Sequence, residues 1–276
     1  MLGETVAGVQ SGRLEVVRAF CVRHRVALAL KGAGTVIGVD HVAKSNPDGH
    51  TIGVVVSSYS INPVLRRSIP YDVLRDLSGV TRLTSFPIGL TAFPGAPFDD
   101  LKGLVAYAKA NPGKLAYATP GAGGTSHLAI ELLKGLAGID LLHVPYKGSA
   151  PAQTDVMGGR VALMSDPLFS AMPFVRAGKM KVIAVSTGRR GPGFLEFPTV
   201  AETFPGFDVE AYLGFIVPVA TPRAVVKKIQ TDAVKAVNLP DVRTRITELG
   251  NQVVGSTPEE FDAFVADDMK KWAKVI

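Results

Sequence analysis

The sequence predicts an α/β protein built on mostly parallel sheets flanked by helices, and three observations carry that reading. Short apolar strands alternate with helical segments of about ten residues from Val26 onward, the order that builds βαβ units. Two consecutive units share one design, a strand, a small-residue turn and a helix, beginning at Lys114 and at Ile139. The 276 residues, 47% hydrophobic and 20% charged, suffice to bury one large or two medium cores.

In chain order, residues 5–23 suit a helix only weakly, because Gly8, Gly12, Arg13, Arg18, Arg23 and Arg25 spoil its apolar face. Val26–Leu30 reads as a short strand, followed by the turn GAGTVIG (32–38) and a helix to about Lys44. That turn resembles a dinucleotide-binding loop. However, Ile37 stands where the stricter pattern has its third glycine, and the next strand, Thr51–Val56, ends in Ser57-Ser58 instead of a ribose-binding acid. It is read as a plain turn. Asn46-Pro47-Asp48-Gly49 is another. SSYSINP (57–63) reads as a hydroxyl-bearing loop at a strand's carboxyl end, where open α/β sheets bind ligands; a polar loop without a ligand fits equally well. Strands follow at Val80–Ser85 and Pro87–Phe93. Asp99 or Asp100 caps a helix from Leu101 to Ala110 that stops at Asn111-Pro112-Gly113.

The stretch KLAYATPGAGGTSHLAIELLKG (114–135) organises the rest. Leu115 and Tyr117 alternate in a strand, Gly121, Gly123 and Gly124 form a turn, and a helix opens at Thr125-Ser126 with Leu128, Leu132 and Leu133 on one face. Glycines let the backbone approach a ligand closely. The first N–H groups of a helix lack intrahelical partners, so such a start attracts an anion. No GK[ST] follows the glycines, which argues against a nucleotide phosphate loop. For one such loop alone, an ordinary turn with a Ser/Thr cap is the better account; a second copy strengthens the anion reading. In that copy Ile139–Tyr146 is the strand, Lys147-Gly148 the turn, and Ser149 precedes a helix with Pro151 in its first turn.

Beyond it, strand Val161–Ser165 ends at Asp166-Pro167, a helix lies near Ala171–Ala177, and Met180–Val185 is an apolar strand. A Gly/Arg/Pro-rich loop (186–197) and a short proline-bounded helix in PTVAETFPG (198–206) follow. Phe207–Val219 is two strands or one strand crossing between domains. Thr221-Pro222 caps a helix to about Val237, Pro240–Leu249 is a helix and Asn251–Gly255 a strand. The capping box Thr257-Pro258-Glu259-Glu260 opens a last helix with Phe261, Phe264, Val265, Met269, Trp272 and Val275 at core spacing.

The net charge of +6 is spread along the chain with few aromatics beside it, which disfavours nucleic acid and suits an anionic small molecule. Cys21 stands alone, so no internal disulfide is expected. No apolar run reaches membrane-spanning length, and Met1–Val9 lacks the features of a signal peptide. G-x-S-x-G, H-E-x-x-H and zinc-type cysteine pairs are missing, and His24, His41, His50, His127 and His143 share no ligand spacing. His127 reads as a hydrogen-bonded structural residue and Asp166 as a strand-end side chain bonding nearby backbone. No nucleophile, base and orienter come together, so neither catalysis, metal nor cofactor is expected.

The segments GAGTVIGVDHVAKSNPDGHTI, SINP, AYATPGAGGTSHLAIEL, HVPYKGSAPAQTDVMGG, FVRAGKMKVIAVST, FPTVAETFPGF and TPEEFDAFV resemble, in order and spacing, the Bug-type substrate-binding proteins of tripartite tricarboxylate transporters. The resemblance runs from about Arg25 to the C-terminus. It implies a two-lobed, periplasmic-binding-protein-like fold of type II with a hinge between lobes. Lobe 1 would be residues 1–99 with 218–276, N-terminally incomplete, and lobe 2 residues 100–217. It further implies a monomeric periplasmic receptor, not an enzyme, that hands a small carboxylate to the transporter's membrane subunits. The carboxylate would be a di- or tricarboxylate, an amino acid or an aromatic acid. By position, the resemblance implies ligand contacts from Thr119, Gly121, Gly123, Gly124, Thr125 and Ser126, mostly through backbone N–H groups. It implies a second set from Lys147, Gly148, Ser149 and Ala150, with Ser57 and Ser58 facing them from the other lobe and Asp166 at the cleft wall. The family's signal peptide, first strand and P-F-x-x-G-G-x-x-D ligand loop have no counterpart in residues 1–24. Two alternatives therefore stand beside the receptor: a truncated remnant that binds nothing, and an NAD(P)-binding enzyme using Gly32–Gly38.

Overall fold

The computed structural model of the chain describes residues 27–29, 36–191 and 193–276. The expected helix over 5–23, Cys21, the stretch 1–24 read against the family's N-terminal features, and all but the end of the Gly32–Gly38 turn lie outside the described residues.

The first elements are β1 (Ala27–Ala29), α1 (Val36–Ala43), β2 (Thr51–Val56), α2 (Ser58–Leu65), β3 (Leu77–Ala92) and α3 (Leu101–Ala110). The central ones are β4 (Ala116–Thr119), α4 (Thr125–Ala137), β5 (Leu142–Pro145), α5 (Ser149–Met157), β6 (Leu163–Pro167), α6 (Leu168–Arg176) and β7 (Lys181–Val185). A short 3-10 turn, Val200–Glu202, precedes β8 (Glu210–Pro218), α7 (Arg223–Val237), α8 (Pro240–Glu248), β9 (Gln252–Val253) and α9 (Pro258–Trp272). None of the described helices is long and apolar enough to cross a membrane.

The chain divides into two compact units. One holds the described residues up to Thr84 with Leu213–Asp268; the other holds Ser85–Tyr212 with Met269–Ile276. The passages fall inside β3, β8 and α9, whereas the sequence reading placed its boundaries after residues 99 and 217. Single long strands contribute to both units, the crossing strand being one of the two options the sequence left for Phe207–Val219.

In the first unit β1 runs parallel to β2 and β2 antiparallel to β8, with Val55 opposite Gly214. Helix α7 buries Val226, Ile229, Ala233 and Val237, at three-to-four spacing, against Ile52, Val80, Leu83 and Phe215. In the second unit β4 lies between parallel neighbours β5 and β6. The second half of β3 pairs antiparallel with β6 and β7. Parallel pairs occur where strand and helix alternate in the sequence; the long strands bring in the antiparallel pairs, β8 with β2 and β3 with β6 and β7, and make the open sheet mixed. Ala152 and Val156 of α5 pack on Ala118, Met164 and Met180.

Two local readings are corrected and one open alternative is decided. SSYSINP is not a loop: Ser58–Leu65 forms α2, burying Tyr59, Ser60, Ile61 and Asn62. Serine and asparagine favour turns because their side chains compete for backbone partners. Here those side chains are satisfied otherwise, since the Ser60 hydroxyl donates to Asp268 Oδ2 at 2.6 Å and Asn62 Oδ1 accepts from Arg66 Nε at 3.1 Å. The two strands expected around Pro87 are one 16-residue strand, β3. Phe207–Val219 supplies one strand, β8, buried along nearly its whole length.

Candidate functional site

Strands β4 and β6 are parallel neighbours whose onward connections part, one to β5 and the other through α6 to β7, which pairs with β3. The carboxyl ends of such a pair form a topological switch point, the usual ligand position in open α/β sheets. Ten of the thirteen residues singled out from the sequence lie at the end of β4, in the loops after β4 and β5, or in the first turns of α4 and α5.

Those loops are tied to each other. The Tyr146 N–H donates to the Thr119 carbonyl at 2.9 Å and the Gly148 N–H to the Pro120 carbonyl at 3.0 Å. The turns that lead into α4 and α5 are thereby joined where they leave β4 and β5. Each helix has a glycine as its N-cap, Gly124 and Gly148, so no N-cap side chain satisfies its first-turn N–H groups. The contrast is α3, where the Asp100 carboxylate accepts from Gly103 N at 2.7 Å, and α9, where Thr257 and Glu260 cap reciprocally. Thr125 and Ser126 are the first helical residues and are buried, not caps. The Ser126 carbonyl accepts from the Ser165 hydroxyl of β6 at 2.7 Å, which fixes α4 against the strand beside it.

Gly148 has φ +120° and ψ 173°, a combination essentially reserved for glycine. A Cβ there meets nothing within 4 Å, so its substitution costs backbone strain alone. Gly148→Ala is expected to lower stability by about 1–3 kcal/mol, or to keep stability by moving the turn away from Pro120. Urea unfolding together with the NMR position of the amide at position 148 distinguishes the two.

The remaining candidates separate. Asp166, at the end of β6, has no exposed surface and does not line an open wall. Its Oδ1 accepts from the Ser149 hydroxyl at 2.8 Å, and its Oδ2 accepts from Gln153 Nε2 at 3.2 Å and from the Ser170 hydroxyl. It orients the first residue of α5. Lys147 and Ala150 are exposed. Ser57 and Ser58, at the start of α2, belong to the other unit, with Ser57 buried.

Sequence reasoning passed over the groups beneath the β4–α4 turn. Register places Tyr117 opposite His143, and their rings stack at 4.9 Å; His143 in turn stacks on His127 at 4.1 Å. The Thr119 hydroxyl donates to the Gly121 carbonyl at 2.9 Å and lies 2.7 Å from His143 Nε2. Because that hydroxyl's single proton goes to Gly121, both contacts are hydrogen bonds only with the proton of His143 on Nε2. The Gly123 N–H donates to His127 Nδ1 at 3.3 Å. The Tyr117 hydroxyl donates to Glu131 Oε1 at 2.6 Å, and Lys134 Nζ pairs with Glu131 at 3.1 Å. Burial pushes the Tyr117 phenol well above its ordinary range, helped by its bond to Glu131. Burial acts to raise Glu131, but the bonds from Tyr117 and Lys134 outweigh it and hold the carboxylate low. Burial, with the neighbouring His127, lowers His143 to about 4. The helical spacing of His127, Glu131 and Lys134 was visible in the sequence; the approach of His143 was not. Among the described residues, no three His, Cys, Asp or Glu side chains cluster to hold a metal.

Comparison with known proteins gives a consistent picture. The family profile described as "Tripartite tricarboxylate transporter family receptor" matches residues 26–276. Protein BugT of Bordetella pertussis is 33% identical over 248 residues, covering 89% of this chain and 76% of BugT. Among solved structures, a Rhodopseudomonas palustris protein with adipate superposes with TM-score 0.86 at 28% identity, covering 96% of this chain and 92% of that one. MatC of the same organism with bound malate superposes with TM-score 0.86 at 28% identity, covering 99% and 95%.

Proposed function

Because this chain belongs to the tripartite tricarboxylate transporter receptor family, we propose that it is a periplasmic receptor for a small carboxylate. It passes that ligand to the membrane subunits of a tripartite transporter. The family is one of solute-binding receptors, not of enzymes. The observation that carries the reading is the pair of glycine-started helices, α4 and α5, joined by the Tyr146–Thr119 and Gly148–Pro120 backbone bonds. Two adjacent helix starts offer backbone N–H donors and positive dipole ends to one anion. The ligand's carboxylate is read by the turn Gly121, Gly123 and Gly124 with the first residues of α4, and by Gly148 and Ser149 of α5. Asp166 acts indirectly, by orienting Ser149. Structural neighbours with adipate and malate make dicarboxylates the first class to try.

A thermal-shift screen of mono-, di- and tricarboxylates, amino acids and aromatic acids tests this. At a hundredfold excess over Kd, a true ligand should raise the melting temperature by about 5–10 °C. Stabilisation by NAD(P) or inorganic phosphate, with none from any carboxylate, would overturn the proposal.

A further inference from the structure

The two histidines beneath the β4–α4 turn have no place in the anion contacts themselves, yet each is bonded to the turn. His143 holds Thr119, which holds the Gly121 carbonyl; His127 holds the Gly123 N–H directly. Gly123 has φ +74°, so the chain reverses at that residue and its N–H is aimed inward at the ring. Accepting that N–H requires a bare Nδ1, which leaves the proton of His127 on Nε2, 3.8 Å from Glu131 Oε1. We infer that the stacked His127–His143 pair positions the anion-binding turn, that it grips Gly123 only while His127 is neutral, and that protonating His127 loosens the turn and weakens carboxylate binding. The inference rests on the reading of this turn as a ligand contact.

The surroundings favour the neutral ring. On α4, Glu131 faces His127 and is itself tied to Lys134 and to the Tyr117 phenol of β4; from β5, His143 lies against the ring face at 4.1 Å. Burial holds His127 below the ordinary imidazole range, Glu131 pulls the other way, and Lys134 adds to the lowering. The two rings respond differently to acid. Protonated His143 still donates from Nε2 to Thr119, so that bond survives. Protonated His127 presents an N–H to the Gly123 N–H, so that bond is lost. Because His127 titrates lower when folded than unfolded, this grip is complete at neutral pH. It is lost as pH falls through the folded value, which lies below the ordinary 6.5.

The experiment follows the ligand-free protein by NMR from pH 7.5 to 4.5, reading the His127 ring and the Gly123 amide, together with adipate and malate titrations over the same range. The Gly123 amide should move with the same midpoint as the His127 ring. Affinity for whichever acid binds should fall by about three- to tenfold across that midpoint, the effect of one lost hydrogen bond. In His127→Asn, whose Oδ1 can accept from Gly123 but cannot be protonated, the amide midpoint should vanish and the affinity ratio between pH 7.5 and 4.5 should shrink. A Gly123 amide that stays flat while His127 protonates overturns the inference, even if the variant fails to fold. So does an affinity profile that His127→Asn leaves unchanged. If neither acid binds at any pH but the amide still follows the ring, the positioning role stands and it is the proposed carboxylate function that fails.

Discussion

Phe261→Ala should cost about 3–5 kcal/mol of stability and Gly214→Ala about 1–3, while the double variant should lose clearly less than their sum. Phe261, in the first turn of α9, has no exposed surface. Its ring lies across two glycines on neighbouring strands of the first unit. A Cβ at Gly214 would stand 2.4 Å from Phe261 Cζ and 3.1 Å from the Thr81 carbonyl oxygen. A Cβ at Gly79 would stand 2.9 Å from Phe261 Cδ1. Glycine at these positions is therefore a matter of space, not of conformation. The helix is pinned further by the Gly79 N–H, which donates to Asp262 Oδ1 at 2.7 Å, and by Arg82, whose guanidinium sits 4.1 Å over the Phe264 ring. With this much holding α9 down, the ring cannot lift to admit a methyl group. Removing the ring leaves room that a methyl group on the Gly214 Cα partly fills, so the two substitutions should couple. Urea unfolding of the four proteins measures this. Simple additivity would mean that Phe261 and Gly214 do not oppose one another as described.

The second large effect is expected at Asp166. Its carboxylate accepts from Ser149, Gln153 and Ser170, and Gln153 Nε2 also donates to the Ser170 carbonyl at 3.0 Å. Asp166→Ala removes the acceptor shared by Ser149, Gln153 and Ser170 and opens a void; the Ser170 hydroxyl keeps the Pro167 carbonyl, so the cost should be roughly 2–3 kcal/mol. Asp166→Asn keeps the volume and one acceptor but turns an amide toward the Gln153 amide or a serine hydroxyl, so an intermediate loss is expected. On the proposed reading of the α5 start as a ligand contact, carboxylate affinity should fall in both variants beyond what destabilisation accounts for, because Ser149 is the first residue of α5. Titrations well below the melting temperature separate the two effects. Full affinity in Asp166→Asn would show that Ser149 needs no orientation from this side chain.

Helix α9 illustrates how far the sequence carries. Its capping box and the three-to-four spacing of Phe261, Val265 and Trp272 locate the helix and its buried face without reference to anything distant. The same spacing cannot say that Asp268, on a polar stretch of that helix, is buried and takes the Ser60 hydroxyl, because Ser60 lies 208 residues earlier. That partnership is also part of why SSYSINP folds as a helix where its composition reads as a loop. At the candidate site, the glycines and the doubled strand–turn–helix design announced two glycine-started helices. They did not announce that Asp166 turns inward to Ser149, or that His143 slides beneath His127.

By itself the sequence determined whatever depends on neighbours along the chain: the alternation of strand and helix, the caps, the glycine turns at 121–124 and 148, and the family these motifs share. Tertiary structure alone decided the pairing of β4 with β5 that brings His143 to His127, the burial of Asp166, and the glycine-sized gaps under Phe261. The physical reason is one of range. Backbone preference and capping act within a turn or two of helix, whereas burial, ring stacking and shared protons arise only once segments far apart in sequence are packed together.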